Sequence, residues 1–369
     1  MSNSLLFTPQ AIASLTLPNR LVRSATAERM ADEDGSPRPT LIALYRELVL
    51  GEVGLIITGH MYVQPSGKAH AEMTGIYSDS LVAKLAKLTD AVHALGGKIV
   101  VQINHGGMQC DPAVVPELVA PSAVAEPYAR HPARQMSSAE ISSTIDAFAQ
   151  AARRAKESGF DGVQIHGAHG YLISQFLSPA TNRRTDEWGG DLAKRMAFLG
   201  AVCAAIRSEV GSDYPVLIKL GAMDGIERGL SLSEGSQVIA ALESMGLDGV
   251  EISCGIGGPH ATSIRKGIQR IENEAYFRPW ARQARQVTQL PILLVGGLRS
   301  RLVMEQVLHA GEADFVSLCR PLICEPDLPR RFEAGLQDRS RCISANRCWA
   351  EGPGVGIGCK CPLPHLDVR

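Results

Sequence analysis

Apolar and polar positions along this chain follow two rhythms, and the changeover between them recurs. One rhythm is a glycine, a short gap and a compact apolar run, as in Gly54-Leu55-Ile56-Ile57 and Gly159-Phe160-Asp161-Gly162-Val163-Gln164-Ile165. It returns at Gly246-Leu247-Asp248-Gly249-Val250-Glu251-Ile252 and, more loosely, at Gly311-Glu312-Ala313-Asp314-Phe315-Val316-Ser317-Leu318. A helical pattern precedes each copy, so the glycine reads as a helix C-cap and the apolar run as a buried parallel strand. Residues 20–24, 98–103, 216–220 and 292–295 supply four more short strands. The second rhythm, with apolar residues at i, i+3 and i+4, fills the intervals and predicts helices. The clearest helix covers 137–158 and opens on the capping box Ser137-Ser138-Ala139-Glu140. A second box, Ser231-Leu232-Ser233-Glu234, opens a helix expected to close at Met245-Gly246.

Strand and helix alternating eight times predict an α/β chain folded as a (β/α)8 TIM barrel. A doubly wound sheet is the competing architecture, but no G-x-G-x-x-G follows an early strand. Loop-rich insertions fall at 35–39 and 111–135, and nothing reads as an interdomain linker. The expected organisation is a single barrel over 1–340 with a Cys-rich C-terminal extension, 341–369, packed on it.

Composition narrows the class. With 45% apolar and 20% charged residues the chain can build a large core. Lys plus Arg is 37 against 38 for Asp plus Glu, so a net charge of -1 gives no basis for a nucleic-acid or anionic-membrane partner. No run of about 18 apolar residues and no signal-peptide pattern is present, so a cytoplasmic protein acting on a small molecule is expected, with a homo-oligomer left open.

Barrel active sites lie at the C-terminal ends of the strands. There the chain places Ala25-Thr26-Ala27, Gly59-His60, Gln102, His166 to Tyr171, Lys219, Cys254 to His260, Gly296-Gly297 and Cys319-Arg320. His166, His169 and Tyr171 crowd six residues directly after a strand. Imidazole donates to an oxyanion and phenol delivers a proton, which suggests polarisation and protonation of a substrate. Gly296-Gly297 after the seventh strand, with Arg320 just past the eighth, offers backbone N–H groups and a guanidinium to a phosphate. Lys219 either faces a developing negative charge or pairs with Glu251 on the next strand.

Nine cysteines argue against a disulfide scaffold. Four crowd the C-terminus, Cys342, Cys348, Cys359 and Cys361. Their spacing matches neither a paired CxxC zinc site nor a regular cluster motif, so free thiols are the default and metal ligation the alternative.

These residues resemble the old yellow enzyme family of FMN-dependent ene-reductases and NADH:flavin oxidoreductases, over nearly the whole chain. The segment from His166 to Gly190 carries the likeness most specifically, and Asn19-Arg20, Gln102, Val295-Gly296-Gly297 and Arg320 match as well. The resemblance implies FMN across the barrel mouth, with Ala25, Thr26 and Gly59 lining it and Gln102 and Lys219 at its pyrimidine edge. Gly296, Gly297, Cys319 and Arg320 would form the phosphate end. It further implies that His166 and His169 hold a substrate carbonyl or nitro oxygen and that Tyr171 protonates the α-carbon. His260 roughly matches a histidine that assists the acid in the dienoyl-CoA group. Ala27 stands where a Thr or Cys often tunes the flavin, and Lys219 where an arginine is common. Ala345 stands where iron-sulfur members have a cysteine, so the tail is expected to be a remnant of that arrangement or a different site, such as one for zinc.

The expected function is reduction of an activated C=C bond by NADH or NADPH through FMN. The alternatives are an amine or alcohol-type dehydrogenation with His169 or His260 as base, a metal-dependent barrel enzyme without flavin, and a flavin-binding protein with a degenerate site.

Overall fold

A computed structural model describes residues 4–124, 131–349 and 356–362. The barrel strands are β1 (Leu21–Arg23), β2 (Leu55–Ile57), β3 (Ile99–Asn104), β4 (Gly162–Gly167), β5 (Val216–Gly221), β6 (Gly249–Ser253), β7 (Ile292–Leu294) and β8 (Phe315–Leu318). Each pairs in parallel with its neighbours, and β8 pairs back onto β1, which closes the barrel. Every apolar run singled out in the sequence is one of these strands. All their residues are buried, as expected where helices cover the outside and side chains fill the inside.

The covering helices are α1 (Pro39–Leu50), α2 (Val82–His93), α3 (Ser138–Glu157), α4 (Leu192–Val210), α5 (Leu232–Ala241), α6 (Arg278–Arg285), α7 (Arg301–His309) and α8 (Leu328–Glu333). Both predicted capping boxes form, with the reciprocal Ser137–Glu140 and Ser231–Glu234 bonds that satisfy otherwise orphaned N–H groups. The expected end of α5 needs correction. Regular helix stops at Ala241, and Leu242 and Gly246 bond three residues back, to Ile239 and Glu243. Those tighter bonds wind the chain down to Gly246, whose φ of 83° suits glycine.

An antiparallel hairpin, Gln10–Ile12 with Leu15–Leu17, plugs the N-terminal end of the barrel. Ile12, Leu15 and Leu17 pack against the inward Val22, Leu55, Ile57, Val100, Leu217, Leu293 and Phe315. Above this apolar layer the inward side chains turn polar, namely Gln102, Gln164, Lys219 and Glu251, all buried. The polar layer marks the floor of the C-terminal mouth.

Past β8 the chain crosses toward that mouth. Glu325 anchors it, accepting hydrogen bonds from Ser340 and Arg341. Further on, Trp349 bridges Ile357, whose N–H donates to Glu28 O on the loop after β1. Among the described residues no helix is long and apolar enough to cross a membrane.

Candidate active site

The turn after β4 builds the centre of the site. Ala168 N–H donates to His166 Nδ1 at 3.4 Å, which puts the ring proton on Nε2. His169 and Gly170 then take left-handed backbone conformations, φ 60° and 75°. His169 is held there by its N–H bond to Cys254 O, and its Nε2 lies 2.8 Å from Ser253 Oγ. The short helix Leu172–Leu177 fixes the far side of the turn through Gln175, whose amide donates to Gly170 O and Gly106 O. As a result the His166 and His169 ring centroids lie 5.0 Å apart, with Tyr171 4.8 Å from His166.

These three side chains line a cavity of about 270 Å³. Ala25, Thr26 and Ala27 line it together with Cys319 and Trp349, which Thr26 and Ala27 contact at 3.0 Å and 3.1 Å, and Val295, Gln102 and Lys219 complete the lining. The floor is a bonded chain of polar groups. Gln102 Nε2 donates to Gln164 Oε1 at 2.7 Å, and Gln164 Nε2 donates to Glu251 Oε2 at 3.0 Å. Lys219 Nζ sits 3.2 Å from the same Glu251 oxygen and donates to Ser24 Oγ at 2.8 Å. Lys219 thus pairs with Glu251, one of its two sequence readings, and also lines the cavity.

Burial sets the electrostatics. It holds the His169 imidazole down at about 3, with Lys219 adding to the shift. It also holds His166 well below its ordinary value, helped by His169, His60 and Lys219. Both rings are therefore neutral near pH 7, with one N–H donor each.

A smaller cavity of about 70 Å³ adjoins the first and shares Ser263, Ile264, Val295, Cys319 and Trp349 with it. Gly296, Gly297, Ser317 and Arg320 line it. The Tyr276 ring packs on the glycine turn so closely that a Cβ on Gly297 would come within 2.9 Å of it. Gly296 and Gly297 also have φ of 124° and 75°, so other residues fit poorly there on two counts. Ser317 Oγ is buried with no hydrogen-bond partner among the described residues. Arg320 Nη1 donates to Arg265 O and Asn346 Oδ1, which ties this corner to the C-terminal extension.

A family model for the NADH:flavin oxidoreductase / NADH oxidase family matches residues 5–339. The chain belongs to that family. It is 37% identical over 345 residues to the NADH oxidase of Thermoanaerobacter brockii, covering 92% of this chain and 52% of that protein. It is 36% identical to the NADPH dehydrogenase of Geobacillus sp. (strain WCH70), covering 95% of this chain and 98% of that one. Among solved structures, a 2-naphthoyl-CoA reductase complex superposes with a TM-score of 0.86 at 29% identity, over 93% of this chain and 54% of that one. The old yellow enzyme homologue from Zymomonas mobilis gives 0.78 at 28% identity, over 92% and 95%. The chain spans about half the length of the first curated relatives it matches, 52% and 51%.

The cofactor of this NADH:flavin oxidoreductase family is FMN. The two joined cavities fit that group. The wider one offers a space floored by buried polar groups, and the narrow one offers a glycine turn, an orphaned hydroxyl and an arginine to a phosphate.

Of the expected site residues, Ala25, Thr26, Gln102, His166, His169, Tyr171, Lys219 and Cys319 line the wider cavity. Gly296, Gly297 and Arg320 line the narrow one. Two expectations are corrected. Gly59 lines neither cavity: its N–H donates to Glu28 Oε1 at 2.8 Å, and an added Cβ would lie 1.8 Å from Glu28 Oε2. His260 is exposed on the loop after β6 and lines neither cavity.

Two further residues line the cavity wall: His60, named at its strand end but given no role, and Trp349, which was not anticipated. His60 stands 5.0 Å from the Tyr171 ring, with Asn104 on its Nδ1 at 2.8 Å. Its strand-end position beside Gly59 was the available signal. Trp349 donates from Nε1 to Ala27 O at 3.1 Å, a contact across 322 positions with no local signature.

Cys342 and Cys348 are buried, and Cys359 sits beside Cys324 and Cys361. All are free thiols, and among the described residues no group of three or more His, Cys, Asp or Glu side chains is arranged to hold a metal ion.

Proposed function

We propose that this oxidoreductase reduces activated C=C bonds, in α,β-unsaturated carbonyl or nitro compounds, with Tyr171 as proton donor. The observation that carries the reading is the triangle of His166, His169 and Tyr171 over a floor of Gln102 and Lys219. FMN held by Gln102, Lys219, Gly296, Gly297 and Arg320 would supply hydride chemistry, drawn from NADH or NADPH, at the β-carbon of the alkene. His166 and His169 each offer an N–H to the substrate oxygen, where negative charge grows as the double bond is reduced. Donors fixed before the reaction stabilise that charge without reorganising. Tyr171 then gives its phenolic proton to the α-carbon.

The charge state of His169 favours this reading over a base-driven amine or alcohol dehydrogenation. A general base works best with a pKa near the operating pH. An imidazole held at about 3 is a weak base and a sound neutral donor.

Stopped-flow absorbance on the FMN-loaded protein tests the reading. NADH or NADPH should bleach the flavin anaerobically, and cyclohex-2-enone should restore its colour. Tyr171→Phe should leave the first step intact and slow the second by about 10²–10⁴. If the variant reoxidises with the enone at the wild-type rate, Tyr171 is not the donor.

A further inference from the structure

A fourth polar side chain joins the three that carry the proposed chemistry. His60 follows β2, and its backbone is fixed on both sides. Before it, Gly59 N–H donates to Glu28 Oε1 at 2.8 Å, and after it Met61 and Tyr62 pair with Ile103 and Asn104 of β3. The residue is only 6% exposed and lines the wider cavity with His166, His169 and Tyr171. Ladder register sets its height. Gln102 stands opposite Gln164 in the polar layer, so Asn104 and His166, each two residues further on, lie one layer nearer the mouth. Asn104 Nδ2 is 2.8 Å from His60 Nδ1, which ties His60 to that upper layer.

This bond decides what the ring can give. An amide N–H on Nδ1 makes that atom an acceptor, so the ring proton sits on Nε2. Burial, with His70, His169 and Lys219 nearby, holds the imidazole well below its ordinary value, so the ring is neutral. Nε2 has no partner among the described residues, yet it is not sealed by packing as both ring nitrogens of His70 are. One N–H donor thus remains for whatever fills the cavity. Tyr171 separates it from the histidine pair. The phenol ring lies 5.0 Å from His60 and 4.8 Å from His166, whereas His60 and His166 are 5.9 Å apart.

We propose that His60 is a specificity-determining residue whose Nε2–H holds a second oxygen of the substrate, so that the enzyme prefers alkenes flanked by two carbonyl groups. The proposal rests on the ene-reductase reading. One carbonyl oxygen then lies between His166 and His169, the carbon that takes the proton beside Tyr171, and the other carbonyl at His60. A substrate without the second oxygen displaces water from Nε2 and leaves a buried donor unpaired, which such a site penalises. A flavin carbonyl is an acceptor of the same chemistry, so the experiment has an arm for it.

The test compares FMN-loaded wild type with two variants. His60→Phe keeps a ring without the N–H, and the amide of His60→Gln can accept from Asn104 and donate to the substrate. The matched substrates are 2,6,6-trimethylcyclohex-2-ene-1,4-dione and 2,6,6-trimethylcyclohex-2-enone, which lacks the second carbonyl. His60→Phe should raise the KM of the dione about three- to tenfold relative to that of the monoketone, the loss of one neutral hydrogen bond. The monoketone reports whatever packing the ring supplies, and the ratio of the two KM values isolates the N–H. His60→Gln should recover part of that ratio. An unchanged ratio in His60→Phe would overturn the proposal. A shifted flavin midpoint potential with the ratio unchanged would give the N–H to a flavin carbonyl instead.

If wild type reduces neither substrate, the ene-reductase reading fails on its own. Calorimetric titration with cyclohexane-1,4-dione and cyclohexanone then still decides the role of His60. A preference for the dione that His60→Phe abolishes upholds it, and no preference overturns it. Should His60→Phe fail to fold, the titration of wild type and His60→Gln serves: a dione bound no more tightly than the monoketone by either protein overturns the proposal, and a preference kept in both upholds it.

Discussion

At the scale of single residues, five imidazoles dominate the mouth and its surroundings. Burial is the largest cause of the lowered pKa of His60, His70, His105, His166 and His169. A histidine whose folded pKa lies below its unfolded value of about 6.5 binds protons more readily in the unfolded chain. Its contribution to stability is therefore intact above 6.5 and is lost as pH falls toward the folded value. That window runs down to about 4 for His70 and His105 and about 3 for His169. Urea unfolding should show stability falling between pH 6.5 and 5.5, by about 1 kcal/mol for each such group. His105 is the cleanest probe, because its shift comes from burial alone and it lines neither flavin cavity. His105→Asn should make the slope shallower; an unchanged slope would mean that His105 is not responsible. The same neutrality has a kinetic consequence. The enone step should be flat from pH 6 to 8, and an imidazole limb in that range would contradict two neutral donors.

At the scale of elements, packing overrides local preference where a helix meets the barrel. Gly235 lies in the first turn of α5, and a Cβ there would come within 1.8 Å of Ala222 O. Gly200 lies inside α4, and nothing would approach its Cβ within 4 Å apart from the helix itself. Helix propensity favours alanine over glycine by about 1 kcal/mol at both positions. Gly200→Ala should therefore raise stability by about that amount. Gly235→Ala should lower it by about 1–3 kcal/mol, as overpacking against backbone does. Thermal melts read both signs, and a stabilised Gly235→Ala would show that α5 is less tightly seated. The same contrast explains what the sequence made legible. Repeats of a strand and a helix are long enough for their periods to stand out, and capping boxes are local. The plug hairpin has two strands of three residues each, too short for a period to register. The end of α5 is set by tightened turns that apolar spacing does not distinguish from helix.

At the scale of the whole molecule, the site joins a barrel to the chain that follows it. Positions at strand ends could be named from sequence because barrel topology dictates where they point, and most of those named do line the cavities. Gly59 failed because a strand-end glycine can face a neighbouring loop as readily as the mouth, and here Glu28 claims it. Trp349 was beyond reach because its place depends on the path of the extension, which no periodicity encodes. Yet that side chain lines both flavin cavities, and its indole N–H holds the loop at Ala27. The extension also reaches the narrow cavity, where Asn346 accepts from Arg320. Removing the indole would take away a large apolar wall and a hydrogen bond at once. Trp349→Ala should weaken FMN retention at least about tenfold, a loss of about 1.4 kcal/mol, without changing the secondary structure seen by circular dichroism. Trp349→Phe, which keeps the aromatic face but not the N–H, should fall between. Fluorescence titration of the apoproteins with FMN reads the affinities directly. Equal affinity in all three proteins would free the extension from any part in holding the flavin and leave the barrel to bind it alone.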